Sequence, residues 1–530
     1  MINIRQKDLD MFDTGIENTL PFWGSNSKLA GGRDPLAIQN SCVVIYTNMI
    51  PGITNLTSRV RYMGFYCWLL NRLLKELERK GETKLSKKDQ ISHLRRAELL
   101  LAYITYANYQ SIDSSSATGV GGTQYAGKNF DIHCAGVDLK KGEKTYWKNS
   151  LGIFGQYYVG VMLSLGLIAN PDDDHSWYRC TSIGDSLGEA FEGNVTETIG
   201  DKFIESVIKG YVDRKYLSGN FKVFALHEIP ESEELNLYRK IILGKDSEFV
   251  QMSTYYRRDT IRLILKYIET GTQTSQYRTF SKFVEPFLQD NFEDVLNSKL
   301  DVSEEKKFWF LYELNELVHY SYEIFHAGLL RFLTQEPQLL DSVMSQILAK
   351  IEEECKERNI KTVSDLYDNT SIYEIFSKMR SSEFVASQFC YAIQLLLVLH
   401  KNVEMYLDMI KTQKIGGENV NREGCAPDLL SLLIANKQEL QITEVVTDIL
   451  VKTINIHTKS SFEKSTIAKG LVNNYLIDDG FIWKLRDTYA TRTNPRIKNT
   501  LQYLIDMRLV IVTRDYLQLT KEGVKFLNED

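Results

Sequence analysis

The sequence predicts a mainly α, multidomain helical protein, and three observations carry that expectation. At 530 residues the chain is too long for one core. Residues 203–412 place apolar side chains at helical spacing, broken at Gly244, Gly271, Pro286, Pro337 and near Asn359, with no fixed period that would mark a solenoid. Twice the pattern also runs helix, short hairpin, capped helix, once internally and once at the carboxyl end.

Taken in order, residues 1–110 read as an N-terminal helical region with an irregular lead. A β-like run at 42–46 is closed by Pro51-Gly52. Thr57 or Ser58 is expected to cap a helix to about Arg79, with Val60, Phe65, Trp68, Leu69, Leu73 and Leu77 on its inner face. A second helix is expected over 92–109. Residues 111–200 read as a glycine-rich loop followed by the internal module. The connection 110–147 is longer than most ordered loops, which predicts a functional or mobile segment. An apolar helix over 150–168, a polar turn at 170–176, a strand at 177–180 and a helix capped by Thr181 then give a winged-helix-like unit. Residues 201–415 form an irregular helical middle. A Gly/Asn break at 416–424 leads to a C-terminal helical domain, 425–530, that ends in a second winged-helix-like unit over 493–530.

That last unit starts at Asn494-Pro495, where Asn accepts from free helix amides and Pro occupies the first helical position without losing a bond. Ile497, Leu501, Leu504 and Ile505 face inward and leave Arg496, Lys498, Asn499 and Gln502 outward. A strand at 509–512, a turn at Arg514-Asp515, a strand at 516–519 and a Thr520-capped helix follow. In a winged helix the helix before the hairpin commonly enters the major groove while the hairpin tip touches backbone. Arg492, Arg496, Lys498 and Arg514 are accordingly expected on phosphates of double-stranded DNA, with Asn499 and Gln502 on base edges.

Charge sharpens this reading. The whole chain carries −6 with a pI near 5.9, which excludes a general polyanion binder and leaves only a local patch. Between Lys484 and Lys525, nine cations stand against Asp487, Asp506, Asp515 and Glu522, reversing the sign of the chain. The internal unit differs: Asp172, Asp173 and Asp174 in its turn would repel a duplex, and its uncharged, glycine-rich helix suits packing or a protein partner.

Catalytic motifs are absent on the same reading. Gly122 to Lys128 matches a phosphate-binding loop, but Asn129 replaces the hydroxyl that would hold Mg²⁺ and no buried strand precedes it. Asp428, Glu439 and Gln441 faintly suggest a metal-dependent nuclease, yet they fall on helical pattern, which cannot aim them at one metal. His133-Cys134 and His175 with Cys180 lack zinc spacing, so no metal or cofactor is expected. Seven scattered cysteines read as reduced thiols, the opening residues carry no secretory leader, and no apolar run reaches the roughly 18 residues of a span. A cytoplasmic location without membrane contact follows. Arg59 and Arg61 at a helix start oppose its dipole, so an offsetting anion is expected. Either a carboxylate such as Asp10 or Asp13 or a bound phosphate would serve.

The run PGITNLTSRVRYMGFYCW at 51–68, behind Leu9-Asp10 and joined by His457, Lys464 and the closing winged helix, resembles the opening of bacterial proteins from anti-phage defence islands. Some of these are middle components beside an SMC-type ATPase, as in Menshen- or Lamassu-like systems. The resemblance implies a non-enzymatic, DNA-engaging scaffold or sensor that bridges an ATPase and an effector nuclease. The alternatives are a cryptic nuclease and a pure protein adaptor using the helix at 150–168.

Overall fold

A computed structural model gives the architecture and describes residues 34–529 except 80–86, 110, 112–113, 115–116, 132, 147–149, 173–176, 245–253, 407–409, 411–412, 416–417, 420–436, 438 and 469. The described chain is mainly helical, with a few two- and three-stranded sheets. Two compact units emerge, each assembled from separated stretches. One draws on Met1–Ile45 and Leu288–Thr493, the other on Tyr46–Phe287 and Asn494–Asp530.

The first unit is organised by the helix Glu304–Phe332, which packs against Val385–Val403 and Ile442–Ala468. Its burial extends to polar side chains: Glu313, Glu316, His319 and Glu323 recur at spacings of three, three and four and so share a face. That row receives the extended segment 491–493. Thr491 N–H donates to Glu323 at 2.8 Å, Thr493 N–H donates to Glu316 at 3.0 Å, and Arg492 pairs with Glu313 and with Glu316 at 3.5 Å. Against burial, His319 holds the Glu316 carboxyl down to about 2, while Glu316 and Glu323 hold His319 up to about 10. An antiparallel sheet completes the unit, with Phe481–Lys484 between Gln338–Leu339 and Tyr475–Asp478.

The second unit is built on the helix Arg61–Arg79, whose Phe65 and Trp68 lie among Phe191, Phe203 and Phe224. Two expectations fail here. The run 42–46 is part of the helix Asn40–Met49, because Cys42, Ile45 and Met49 bury at helical rather than alternating spacing. The connection 110–147 is not a long loop, since it contains the helix Thr123–Asn129, the strand Gly136–Asp138 and the helix Leu139–Thr145. Gly122, at φ 86°, caps the first of these against the Tyr146 ring, and Gly121 N–H donates to the Tyr62 hydroxyl at 2.8 Å. The apparent phosphate loop is therefore a packed corner.

The helix–hairpin–helix order is present twice in this unit, and the two copies share their joints. Thr181 N–H donates to Leu167 O and Thr520 N–H to Leu509 O, both at 3.0 Å. Each threonine hydroxyl donates to the carbonyl one residue earlier, of Gly166 or Arg508, and accepts from an amide three residues on, of Gly184 or Gly523. A Cβ on Gly184 would fall 2.0 Å from Leu167 O, and one on Gly523 2.2 Å from Leu509 O. The motif T-x-x-G thus records one close helix–hairpin approach used twice.

In the internal copy, the apolar helix begins with a π-turn, Phe154–Tyr158, whose leading amides need an acceptor. Glu98 supplies it, accepting from Ile153 N at 3.0 Å, Phe154 N at 2.7 Å and the Tyr66 hydroxyl at 3.0 Å. Burial pushes its carboxyl up to about 7 and that of Asp506 up to about 6. A carboxyl raised in the folded state holds its proton longer there, so stability falls as pH rises from about 4.5 through about 7. Glu98→Gln is expected to flatten that decline, leaving the smaller slope from Asp506. Thermal midpoints between pH 5 and 8 check this, and an unchanged slope would remove Glu98 as its source.

Candidate nucleic-acid interface

The C-terminal copy carries the expected interface residues, and the structure divides them into committed and available groups. Its helix is Ile497–Asp506, its hairpin Val510–Thr513 with Tyr516–Leu519, and its closing helix Lys521–Asn528. Asn494 does accept a free amide, that of Arg496, at 3.1 Å. The cap, however, is Arg496 in a left-handed conformation at φ 65°, so Pro495 lies outside the helix.

The face expected to read bases is turned inward. Asn499 donates to Thr57 O at 3.1 Å and Gln502 donates to Asp506 at 2.9 Å. Asp506 in turn accepts Arg59 at 2.7 Å and the Val60 amide at 3.3 Å, filling the place of a cap for the helix Arg61–Arg79. Asn499 and Gln502 are half-buried and each commits an amide N–H to this packing, which sets them apart from the outward, base-reading placement expected of them.

The anion candidates resolve the same way. Arg59 is offset by Asp506, and Arg61 is fully buried against Glu234 at 2.8 and 3.1 Å while donating to Ala225 O at 2.7 Å. Both are paired by carboxylates brought from distant sequence. The positions proposed for that part, Asp10 and Asp13, lie outside the described residues. Neither arginine is placed to hold a phosphate. Arg492 is likewise corrected, since it belongs to the first unit and its guanidinium is held there by Glu313 and Glu316.

Three cations remain. The Arg496 guanidinium lies over the Tyr46 ring at 4.8 Å and donates to the Thr47 hydroxyl at 3.2 Å, and burial lowers its pKa. Lys498 is exposed, with its ammonium 5.5 Å from the centre of the Phe280 ring. Arg514 is exposed at the hairpin tip. Among the described residues none of the three forms an ion pair.

The tip itself has an internal support. Arg514 at φ 52° and Asp515 at φ 73° make a two-residue turn of the left-handed kind that matches hairpin twist but normally takes Asn or Gly. Residues 278–280 hold it. Leu517 N–H donates to Arg278 O at 2.9 Å, Phe280 N–H donates to Asp515 O at 2.8 Å, and Ser281 N–H donates to the Asp515 carboxylate at 3.1 Å. The segment adds a single β-bridge, Thr279 to Tyr516, at the edge of the hairpin, turns the Asp515 carboxylate onto Ser281, and leaves Arg514 exposed. Lys282, also exposed, follows directly. Sequence reasoning missed this edge contact because a polar run, TQTSQYRTFSK, shows no alternation of its own.

Other expectations have simpler outcomes. Glu439 is exposed, Gln441 N–H donates to Glu444 at 2.9 Å at the start of the helix Ile442–Ala468, and Asp428 lies outside the described residues. Among the described residues no group of three or more His, Cys, Asp or Glu could hold a metal ion. No described helix is long and apolar enough to cross a membrane. No protein family, curated protein or solved structure matches the chain.

Proposed function

We propose that the chain is a non-enzymatic scaffold or sensor subunit that engages nucleic acid through phosphate contacts at the tip of its C-terminal winged-helix-like module. The observation that carries this reading is the trio Lys498, Arg514 and Lys282, exposed around one hairpin tip whose own carboxylate is turned away. Exposed cations without local partners attract a polyanion, and the acidic body confines that attraction to the patch. The amide donations of Asn499 and Gln502 to Thr57 O and Asp506 favour a reading in which phosphate contacts, rather than base contacts, carry the binding.

The resemblance of residues 51–68 to defence-island proteins supplies the setting: a bridge between an SMC-type ATPase and an effector nuclease. The double variant Lys498→Glu/Arg514→Glu, titrated against a labelled duplex of about 20 base pairs at about 50 mM salt, is expected to bind at least about tenfold more weakly than the parent chain. Equal affinity would remove the hairpin tip from the account.

A further inference from the structure

Beside the cations, the same hairpin presents two exposed aromatic rings. Tyr277 and Tyr516 are each 45% accessible, and their ring centres lie 5.6 Å apart with planes inclined at 55°. Their placement follows from strand alternation. Thr279 bridges Tyr516, so Tyr277, two residues back, shares the face of Tyr516, and cross-strand pairing adds Thr513 to that face. Leu517, next along the strand, points the opposite way and is fully buried. Leu517 thus faces the core, and the tyrosine pair lies on the solvent side of this small sheet together with the exposed Ile511. Arg514 stands two residues from Tyr516 and Lys282 five from Tyr277, and the Lys498 ammonium lies 5.5 Å from the centre of the Phe280 ring.

We infer that this face binds unpaired nucleotides, with Tyr277 and Tyr516 stacking on bases and Arg514, Lys498 and Lys282 neutralising the adjoining phosphates. The inference rests on the phosphate-contact reading above and adds the class of ligand. A cationic surface with neighbouring aromatic rings suits a single strand, because every nucleotide offers a base π-face and a backbone phosphate. A duplex hides those faces in its own stack. The groups that would read a duplex from its groove, Asn499 and Gln502, are bonded to Thr57 O and Asp506. What the tip leaves available is stacking and charge, which select single-stranded ends, gaps or junctions without selecting sequence.

The test uses the full chain, a labelled oligothymidylate of about 12 nucleotides and a duplex of about 12 base pairs, with binding followed by fluorescence anisotropy at about 50 mM salt. The single strand is expected to bind at least about tenfold more tightly than the duplex, and Tyr277→Ala/Tyr516→Ala to lose about tenfold or more on the single strand while changing duplex binding less than about twofold. Tyr277→Phe/Tyr516→Phe keeps both rings and is expected to restore single-strand affinity, which separates stacking from any loss of fold. A preference for duplex, or full single-strand affinity in the alanine variant, overturns the stacking inference. If Lys498→Glu/Arg514→Glu still weakens both ligands in that event, the phosphate reading survives alone. If it weakens neither, both readings fall.

Discussion

Glu234→Ala is expected to destabilise the protein by about 3–5 kcal/mol, the range for breaking a buried ion pair from one side. Arg61 and Glu234 are both fully buried, and their two contacts at 2.8 and 3.1 Å are the fork geometry that matches a guanidinium to a carboxylate. Glu234 also accepts from Asn194 at 2.7 Å and Tyr238 at 3.1 Å, so the variant removes an acceptor shared by three donors. Arg61 would keep Ala225 O, Glu228 O and the Phe191 ring, with no carboxylate to balance its charge. Urea unfolding followed by circular dichroism gives the comparison. The double variant Arg61→Met/Glu234→Leu, which removes both charges and retains volume, is expected to recover much of the loss. A change below about 1 kcal/mol in Glu234→Ala would show that water or another group reaches Arg61.

Arg492→Met is expected to have a comparable stability effect, about 3–5 kcal/mol, and none on nucleic-acid affinity. Its guanidinium lies between Glu313 and Glu316, both fully buried, and burial already raises the Glu313 carboxyl. Without Arg492, His319 remains as the cation facing Glu316, and Glu313 retains only the Tyr373 hydroxyl, at 3.2 Å. Denaturation and oligonucleotide titration on the same variant separate the two roles. A drop in affinity with unaltered stability would return Arg492 to the interface.

These two residues also mark where reading the sequence stops. Local signals were legible. The helix and hairpin of the C-terminal module, the cap at Thr181 and the cap at Thr520 follow from spacing and side-chain chemistry within a dozen residues, and each is present. Gly244 and Asn359 end helices in left-handed conformations, as breaks at those positions suggest. The need of Arg59 for an offsetting anion was also legible from its place at a helix start, though not whether a carboxylate or a phosphate would supply it.

Its partner was not. Asp506 lies 447 residues away, and Glu234 lies 173 from Arg61. Charge counting treats every cation in a stretch as equally available, but tertiary pairing decides which remain free. Arg492, Arg508 and Lys484 are paired with Glu313, Glu231 and Asp487, whereas Lys498 and Arg514 have no ion-pair partner among the described residues. The same limit hid the tyrosine face. Residues 278–280 run along the hairpin edge because that edge supplies their hydrogen bonds, and neither segment alternates strongly enough to announce the contact. Discontinuity compounds this, because each compact unit draws on stretches separated by more than two hundred residues of the other.

The central claim is that free cations at one hairpin tip hold nucleic acid by its phosphates, and the salt dependence of oligonucleotide binding measures it most directly. Each neutralised phosphate on a single strand adds about −0.7 to the slope of log affinity against log salt. A slope of roughly −2 is expected for the parent chain, corresponding to about three phosphates, falling by about 1 or more in Lys498→Glu/Arg514→Glu. A parent slope near zero, or one that the double variant leaves unaltered, would contradict the account.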